Sequence, residues 1–168
     1  IRDPHNKAAY THQHIPHGIT YSSFINAVIH THQPYATGLG LVMDEIPCNL
    51  STMANAVEGP CRVADYGDPG SLSMGVQAVE AIGDQLAVVL KHHGVIAVGR
   101  DMRQALFSCV YLEEAAKTVS VALSTGLPMA EMTDAEVAEA VAVFHRYGQH
   151  TLDEQDAEAA AAAAASAE

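Results

Sequence analysis

The sequence predicts an α/β fold, because short apolar runs that suit strands alternate with longer, capped segments that suit helices. Two of the apolar runs, at residues 24–29 and 86–91, lead directly into histidines. The chain has 168 residues, 49% of them hydrophobic, which is enough for the core of one domain or slightly more. We place this domain at residues 1–150 and treat residues 151–168 as an acidic, alanine-rich tail outside it.

The strands are predicted from apolar runs that turn residues bound. We expect extended segments at residues 24–32, 46–48, 62–66, 86–91 and 95–98. The last two flank Gly94, so they predict an antiparallel hairpin with a pair of histidines at its turn.

The helices are predicted where a capping residue precedes apolar residues at helical spacing. Pro34 suits the first position of a helix over 34–43, and Ser71 suits the N-cap of a helix that runs to Ile82. Two capping-box patterns, at 101–104 and 133–136, predict two further helices, which end before Gly126 and at Gly148.

The composition excludes several classes of protein. A formal net charge of −12 argues against nonspecific binding to nucleic acid, although it leaves an anionic small substrate open. No apolar stretch approaches the length of a membrane span, and we expect no signal peptide before Ile1. The first residues, Ile1-Arg2-Asp3, are typical of the interior of a domain. Its three cysteines, at 48, 61 and 109, predict reduced, buried thiols in a cytoplasmic protein.

Three histidines predict a metal site. Residues two apart on a strand point to the same face, so His30 and His32 can direct two imidazoles at one point. If the strand at 86–91 lies beside the first strand, His93 brings a third imidazole to the same place. Three histidines that leave room for water or substrate are typical of a catalytic zinc site, whereas a structural site takes four protein ligands.

Four other histidines are weaker candidates for metal ligands. His92 points away from His93 on an extended chain, so we interpret it as solvent-facing or as a support for the ligands. His12, His14 and His17 have a spacing that a second metal site could use, but a flexible polar loop explains them better.

The two histidine segments also resemble those of a known family. Residues 28–37, Val-Ile-His-Thr-His-Gln-Pro-Tyr-Ala-Thr, and residues 90–95, Leu-Lys-His-His-Gly-Val, are similar to the metal-binding segments of the class II aldolase/adducin superfamily. This superfamily includes L-fuculose-phosphate aldolases and L-ribulose-5-phosphate 4-epimerases. The resemblance covers residues 24–150, and Tyr147-Gly148-Gln149 is similar to the end of the epimerase branch.

The resemblance implies a central, mainly antiparallel sheet flanked by helices in three layers, and a homotetramer with active sites between subunits. It implies Zn²⁺, or another divalent metal such as Mn²⁺, on His30, His32 and His93. Members normally carry about seventy further upstream residues, among them a Gly-Asn-type loop and a Ser-Ser pair that hold the substrate phosphate. No nucleic acid or membrane is implied as a partner.

The resemblance also suggests catalytic groups. Asp3 resembles an acidic residue that precedes the His-Thr-His segment and would serve as a fourth ligand or an acid/base; otherwise it is a surface carboxylate. Tyr147 would donate a proton in a neighbouring subunit's active site; otherwise it packs on its own helix. The epimerase branch has an aspartate where Asn55 stands, and an amide cannot act as an acid or base near neutral pH.

The function implied is that of a zinc-dependent class II aldolase. It would cleave a phosphorylated ketose, a sugar 1-phosphate, to dihydroxyacetone phosphate and an aldehyde, with zinc stabilising the enediolate. A 4-epimerase that uses the same retro-aldol step is the alternative. A decarboxylase of sugar-acid phosphates and a non-catalytic, adducin-like scaffold are the remaining readings.

Overall fold

A computed structural model describes residues 25–147 of the chain. The strands in this part are Ala27–Thr31 (β1), Glu45–Ile46 (β2), Cys61–Ala64 (β3), Ala87–Leu90 (β4) and Gly94–Gly99 (β5). The helices are Pro34–Leu39 (α1), Ser51–Val57 (α2), Leu72–Ile82 (α3), Met102–Ser124 (α4) and Asp134–Tyr147 (α5).

The strands form one mixed sheet in the order β1-β5-β4-β3-β2. The neighbours β1/β5, β5/β4 and β3/β2 are antiparallel, and β3/β4 is the parallel pair, which α3 connects. The predicted α/β fold with a mainly antiparallel sheet is therefore confirmed, as is the hairpin of β4 and β5. Because β1, β3 and β4 run in the same direction, their carboxyl ends meet at one edge of the sheet.

Helices cover the two faces of the sheet unequally. On one face α4 packs across β1 and β5, and α1, α2 and α5 join it around a core that includes Met53, Val89 and Leu112. On the other face α3 packs on β3 and β4, around Ala78, Val88 and their neighbours. Val28 of β1, on the same side as α3, remains exposed, so the helix leaves that part of the sheet open.

The predicted caps form as expected. Ser71 Oγ accepts the Met74 N–H at 3.2 Å, and an Asp101 carboxylate oxygen accepts the Gln104 N–H at 2.8 Å. At the start of α5 a Glu136 carboxylate oxygen accepts the Thr133 N–H, and Thr133 Oγ1 accepts the Glu136 N–H. These side chains satisfy backbone donors that the first turn of a helix leaves unpaired.

Two helices differ from the sequence prediction. The helix expected over 34–43 ends at Leu39, and the chain continues in tighter turns, such as the bond from the Leu41 N–H to the Gly38 carbonyl. Gly38 and Gly40 weaken the helix at this point. Helix α2 was not predicted, because its N-cap residue, Leu50, offers no capping side chain.

The three cysteines are buried and free, and no helix in residues 25–147 is long and apolar enough to cross a membrane.

Candidate metal centre

The alternation of β1 separates two sets of side chains. Ile29 packs against the core beneath α4, and Thr31 reaches Cys109 of that helix. His30 faces the other way, on the side of the sheet that α3 leaves open, and both His30 and His32 are exposed. His30 therefore points away from the main core, as the two-residue period of the strand requires, and His32 follows directly after the end of β1.

The hairpin brings the third histidine to the same edge. Leu90 of β4 pairs with Gly94 of β5, which leaves a loop of three residues between them. The His93 N–H closes this loop on the Leu90 carbonyl at 3.0 Å. His92, in the middle, has a left-handed φ of 61°, a conformation that costs energy for most residues other than glycine. This tight turn directs His93 towards β1.

The three imidazoles form one cluster. One ring nitrogen from each of His30, His32 and His93 can be chosen so that all three lie within 4.8 Å of one another. The Nε2 atoms of His30 and His32 are 3.1 Å apart, and the ring centroids are separated by 4.8 to 5.1 Å. The structure thus brings together the three residues that the sequence singled out.

The surroundings of two ring nitrogens bear on whether the cluster can bind a metal. His30 Nδ1 lies 3.0 Å from the Val95 carbonyl oxygen, so Nδ1 carries the proton and Nε2 keeps its lone pair. His93 Nδ1 is buried and has no hydrogen-bond partner among the described residues. Burial lowers the pKa of His93, and the neighbouring His30 and His32 lower it further. A lowered pKa favours the neutral imidazole, which is the form that binds metal.

Gly94 allows the cluster to be this compact. A Cβ atom at Gly94 would collide with the Thr31 carbonyl oxygen, and it would lie 2.9 Å from His32 Cδ2 and 3.3 Å from His30 Cε1. Any larger residue would push the hairpin away from β1.

The donor set fits a divalent metal of the zinc type. Zinc binds imidazole nitrogens at about 2.1 Å, so two tetrahedral nitrogen ligands lie about 3.4 Å apart. The 3.1 Å between His30 Nε2 and His32 Nε2 is close to that value, and nitrogens at the 4.8 Å limit of the full set would approach by about 1.4 Å on binding. Three neutral nitrogens leave further coordination positions open for water or substrate.

The structure describes only some of the other predicted site residues. Asp3, His12, His14 and His17 belong to the part of the chain that is not described. Tyr147 is the last residue of α5, and only its backbone position is described. His92 is exposed, and its ring centroid is 6.0 Å from that of Tyr66.

Asn55 lies on a different surface from the histidines. It is in α2, and it lines a cavity of about 390 Å³ towards α5 together with Ser51, Glu136, Glu139, Ala140 and Val143. Its Oδ1 atom is buried and has no hydrogen-bond partner within the described residues. Within this chain, therefore, Asn55 is not part of the histidine cluster.

Sequence reasoning missed the polar side chains behind the cluster. Gln33 is buried and contacts Cys109, and Glu113 accepts two backbone N–H groups from the start of α1. These residues are more than 70 positions apart, so no local pattern could pair them. The one signal in the sequence is Gln33, a polar residue that directly follows a strand predicted to be buried.

Comparisons with known proteins show what the chain is similar to. The family model of the class II aldolase and adducin N-terminal domain matches residues 5–120. A 5-methylthioribulose-1-phosphate/5-deoxyribulose-1-phosphate aldolase from Rhodospirillum rubrum is 30% identical over 126 residues, which are 75% of this chain and 57% of that protein. An L-fuculose phosphate aldolase from Haemophilus influenzae is 28% identical over 73% of this chain and 57% of its own length.

Solved structures give the same result. An L-fuculose 1-phosphate aldolase aligns with a TM-score of 0.68 and 30% identity, over 72% of this chain and 56% of its own. A sugar-phosphate aldolase from Thermotoga maritima aligns with a TM-score of 0.54 and 26% identity, over 64% of this chain and 49% of its own. The chain thus spans a little over half the length of the curated relatives described above.

Proposed function

Since the chain belongs to the class II aldolase and adducin family, we propose that it forms the metal-binding part of a zinc-dependent aldolase. The substrate would be a ketose 1-phosphate, cleaved to dihydroxyacetone phosphate and an aldehyde. The observation that carries this proposal is the cluster of His30, His32 and His93, with ring nitrogens within 4.8 Å of one another at an open part of the sheet.

The relatives support the choice of reaction and substrate. The two curated relatives described above are named as aldolases, and one of them is named for two ribulose 1-phosphates. Retro-aldol cleavage of a ketose 1-phosphate breaks the bond between C3 and C4, and it leaves the phosphate on the three-carbon ketone. The aldehyde fragment carries the remaining carbons, so its size distinguishes one sugar substrate from another.

In this proposal the histidines hold the metal and keep one side of it free for the sugar. A divalent metal bound there supplies Lewis-acid chemistry, which polarises the ketose carbonyl and stabilises the negative charge that cleavage leaves on the three-carbon fragment. The Val95 carbonyl keeps the proton of His30 on Nδ1, so that Nε2 is available as a ligand. Gly94 keeps the hairpin close enough for His93 to complete the set.

Proton transfer needs further groups, and we propose two. Asp3 would be a fourth ligand or an acid/base, and Tyr147 would donate a proton in the site of a neighbouring subunit. The second role requires a homo-oligomer, for which we propose a tetramer with active sites at the subunit interfaces. Light scattering of the purified protein gives its mass in solution and tests this assembly.

A 4-epimerase remains the second candidate, because Tyr147 would be shared with that branch of the family. Such an enzyme performs the same cleavage, then rotates the aldehyde and closes the bond again. Asn55 counts against it, since an amide cannot replace a catalytic acid. Epimerisation would convert a pentulose phosphate into its epimer without releasing a triose.

The decisive assay couples release of dihydroxyacetone phosphate to NADH oxidation by glycerol-3-phosphate dehydrogenase. L-Fuculose 1-phosphate and 5-deoxyribulose 1-phosphate are the substrates, and the protein is tested as purified, after chelation, and after Zn²⁺ or Mn²⁺ is restored. We expect triose release that chelation abolishes and metal restores. Activity that survives complete chelation would refute the metal-dependent mechanism, and epimer formation without triose would favour the second candidate.

A further inference from the structure

One face of α4 contacts the segment that carries His32, one of the three clustered histidines. Cys109, Glu113 and Lys117 are spaced four residues apart, so they lie on the same side of the helix in successive turns. All three contact the stretch of chain that runs from the end of β1 into α1. We call this stretch, residues 31–36, the ligand segment.

The first contact is centred on Cys109. The side-chain amide of Gln33 donates to the Cys109 carbonyl oxygen at 2.6 Å and to its sulfur at 2.9 Å. Thr31 Oγ1 lies 3.5 Å from the same sulfur. Thr31 and Gln33 are the two neighbours of His32, so Cys109 contacts the side chains on both sides of that histidine.

The second contact is made by Glu113. Its two carboxylate oxygens accept the N–H groups of Tyr35 and Ala36, each at 3.0 Å. These donors belong to the first turn of α1, where Gln33 provides no side-chain cap. Glu113 therefore replaces the missing cap from a distance of more than 70 residues, with a charge that suits a helix N-terminus. In the next turn, Lys117 Nζ lies 5.9 Å from the centre of the Tyr35 ring.

These contacts matter because the sheet does not hold His32. The pairing of β1 with β5 ends at Thr31 and Val95, one residue before His32. His30 is fixed by the ladder and by its bond to Val95, whereas the position of His32 depends on the residues that flank it. Resting on the function proposed above, we propose that Glu113 is a positioning residue, which sets metal affinity by fixing the ligand segment that carries His32.

Calorimetric titration with Zn²⁺ tests this role in the full chain. Glu113→Gln keeps the size of the side chain but can accept only one of the two N–H groups. We expect its Kd for zinc to rise about tenfold, the lower end of the loss seen when groups that orient ligands are changed. Glu114→Gln is the matched control, because Glu114 is the adjacent, exposed glutamate of the same helix. Its Kd should stay within twofold of the wild-type value.

A purely structural role is tested by a second readout. Val119→Ala removes buried side-chain volume from α4, two residues beyond Lys117, and should lower the free energy of unfolding without changing the Kd for zinc. In the Co²⁺-loaded chain, Glu113→Gln should also alter the visible absorption bands, which report ligand geometry, while Val119→Ala leaves them unchanged. If Glu113→Gln does not fold, Gln33→Met breaks the contact with Cys109 and should raise the Kd likewise.

The outcomes separate this inference from the proposed function. If the wild-type chain binds zinc and Glu113→Gln binds it with the same Kd, the positioning role is overturned but the proposed metal site is not. If Val119→Ala loses as much stability as Glu113→Gln and its Kd for zinc rises by as much, the positioning role is overturned as well. Wild-type chain that binds no zinc would refute the proposed metal site itself, and the positioning role with it.

Discussion

His30 Nδ1 donates a hydrogen bond to the Val95 carbonyl oxygen at 3.0 Å, which ties a side chain of the edge strand β1 to the backbone of β5. Histidines that bind metals commonly donate their second ring N–H to a backbone carbonyl in this way. The bond fixes both the orientation of the ring and the nitrogen that is left to act as ligand. The site is therefore partly prepared by the sheet itself.

The first prediction concerns the tautomer of His30. In the metal-free chain at pH 8, we expect Nδ1 to carry the proton, because a carbonyl oxygen can only accept. Long-range proton–nitrogen NMR correlations distinguish the two tautomers of each ring. A proton found on Nε2 of His30 would show that the bond to Val95 is absent in solution.

The second prediction concerns Gly94. Gly94→Ala introduces a Cβ atom that would overlap the Thr31 carbonyl oxygen and crowd His32. We expect a loss of about 1–3 kcal/mol in the free energy of unfolding, together with much weaker zinc binding, because the hairpin must move away from β1. Urea titration and calorimetry measure the two effects.

Gly75→Ala is the control for this substitution. Gly75 lies inside α3, and a Cβ atom there would have no atom within 4 Å among its described surroundings. Alanine favours a helix over glycine, so we expect a gain of about 0.5–1 kcal/mol and unchanged zinc affinity. Equal effects of the two substitutions would contradict the steric argument at Gly94.

How much of this site could be predicted depends on the range of the interactions. The two-residue period of β1 was sufficient to place His30 and His32 on one face, and Gly94 marked the turn that carries His93. The condition set for His93, that the strand at 86–91 lies beside the first strand, is not met, because β5 lies between β1 and β4. His93 still reaches the histidines near the end of β1, because the turn that carries it leads directly into β5.

The remainder depends on contacts between distant parts of the chain. The bonds from Glu113 to the start of α1 span more than 70 residues and leave no mark on local sequence patterns. The parallel pairing of β3 and β4 likewise depends on how α3 crosses the sheet. Helix α2 lacks a capping side chain, and its stability comes from packing against α4 and α5.

The third prediction concerns thiol reactivity. Burial raises the pKa of Cys48 to about 11 and that of Cys61 to about 12. At pH 8 only about one in a thousand Cys48 thiols is ionised, and fewer at Cys61, so reaction with a thiol reagent should be very slow. We expect all three cysteines to react only after denaturation, as measured by release of thionitrobenzoate. Rapid labelling of Cys61 in the folded chain would contradict its burial.

The fourth prediction concerns the capping box of α5. A Glu136 carboxylate oxygen accepts the Thr133 N–H at 2.7 Å and its hydroxyl at 2.9 Å, and these bonds lower the pKa of Glu136. A carboxyl whose pKa is lowered by folding stabilises the protein above its unfolded pKa, near 4.5, and loses that contribution as the pH falls through the folded value.

Glu136→Gln tests this contribution. The wild type should be more stable than the variant at pH 7, by an amount that stays constant down to about pH 5 and shrinks below it. Urea unfolding at several pH values gives the difference. Glu139→Gln, on the same helix but outside the capping box, is the matched control, because it leaves the bonds between Thr133 and Glu136 intact. A difference that grows as the pH falls would reverse the expected sign.

The zinc content of the purified chain after dialysis tests the central claim most directly. Mass spectrometry of the metal should find about one zinc per wild-type chain, as expected for three histidine ligands. His93→Ala should retain almost no zinc. The control is His92→Asn, which changes the exposed neighbouring residue and should retain the wild-type amount. Asparagine suits this position because it tolerates the left-handed φ of residue 92. Zinc bound equally by His93→Ala and the wild type, or by neither, would contradict a catalytic metal on this cluster.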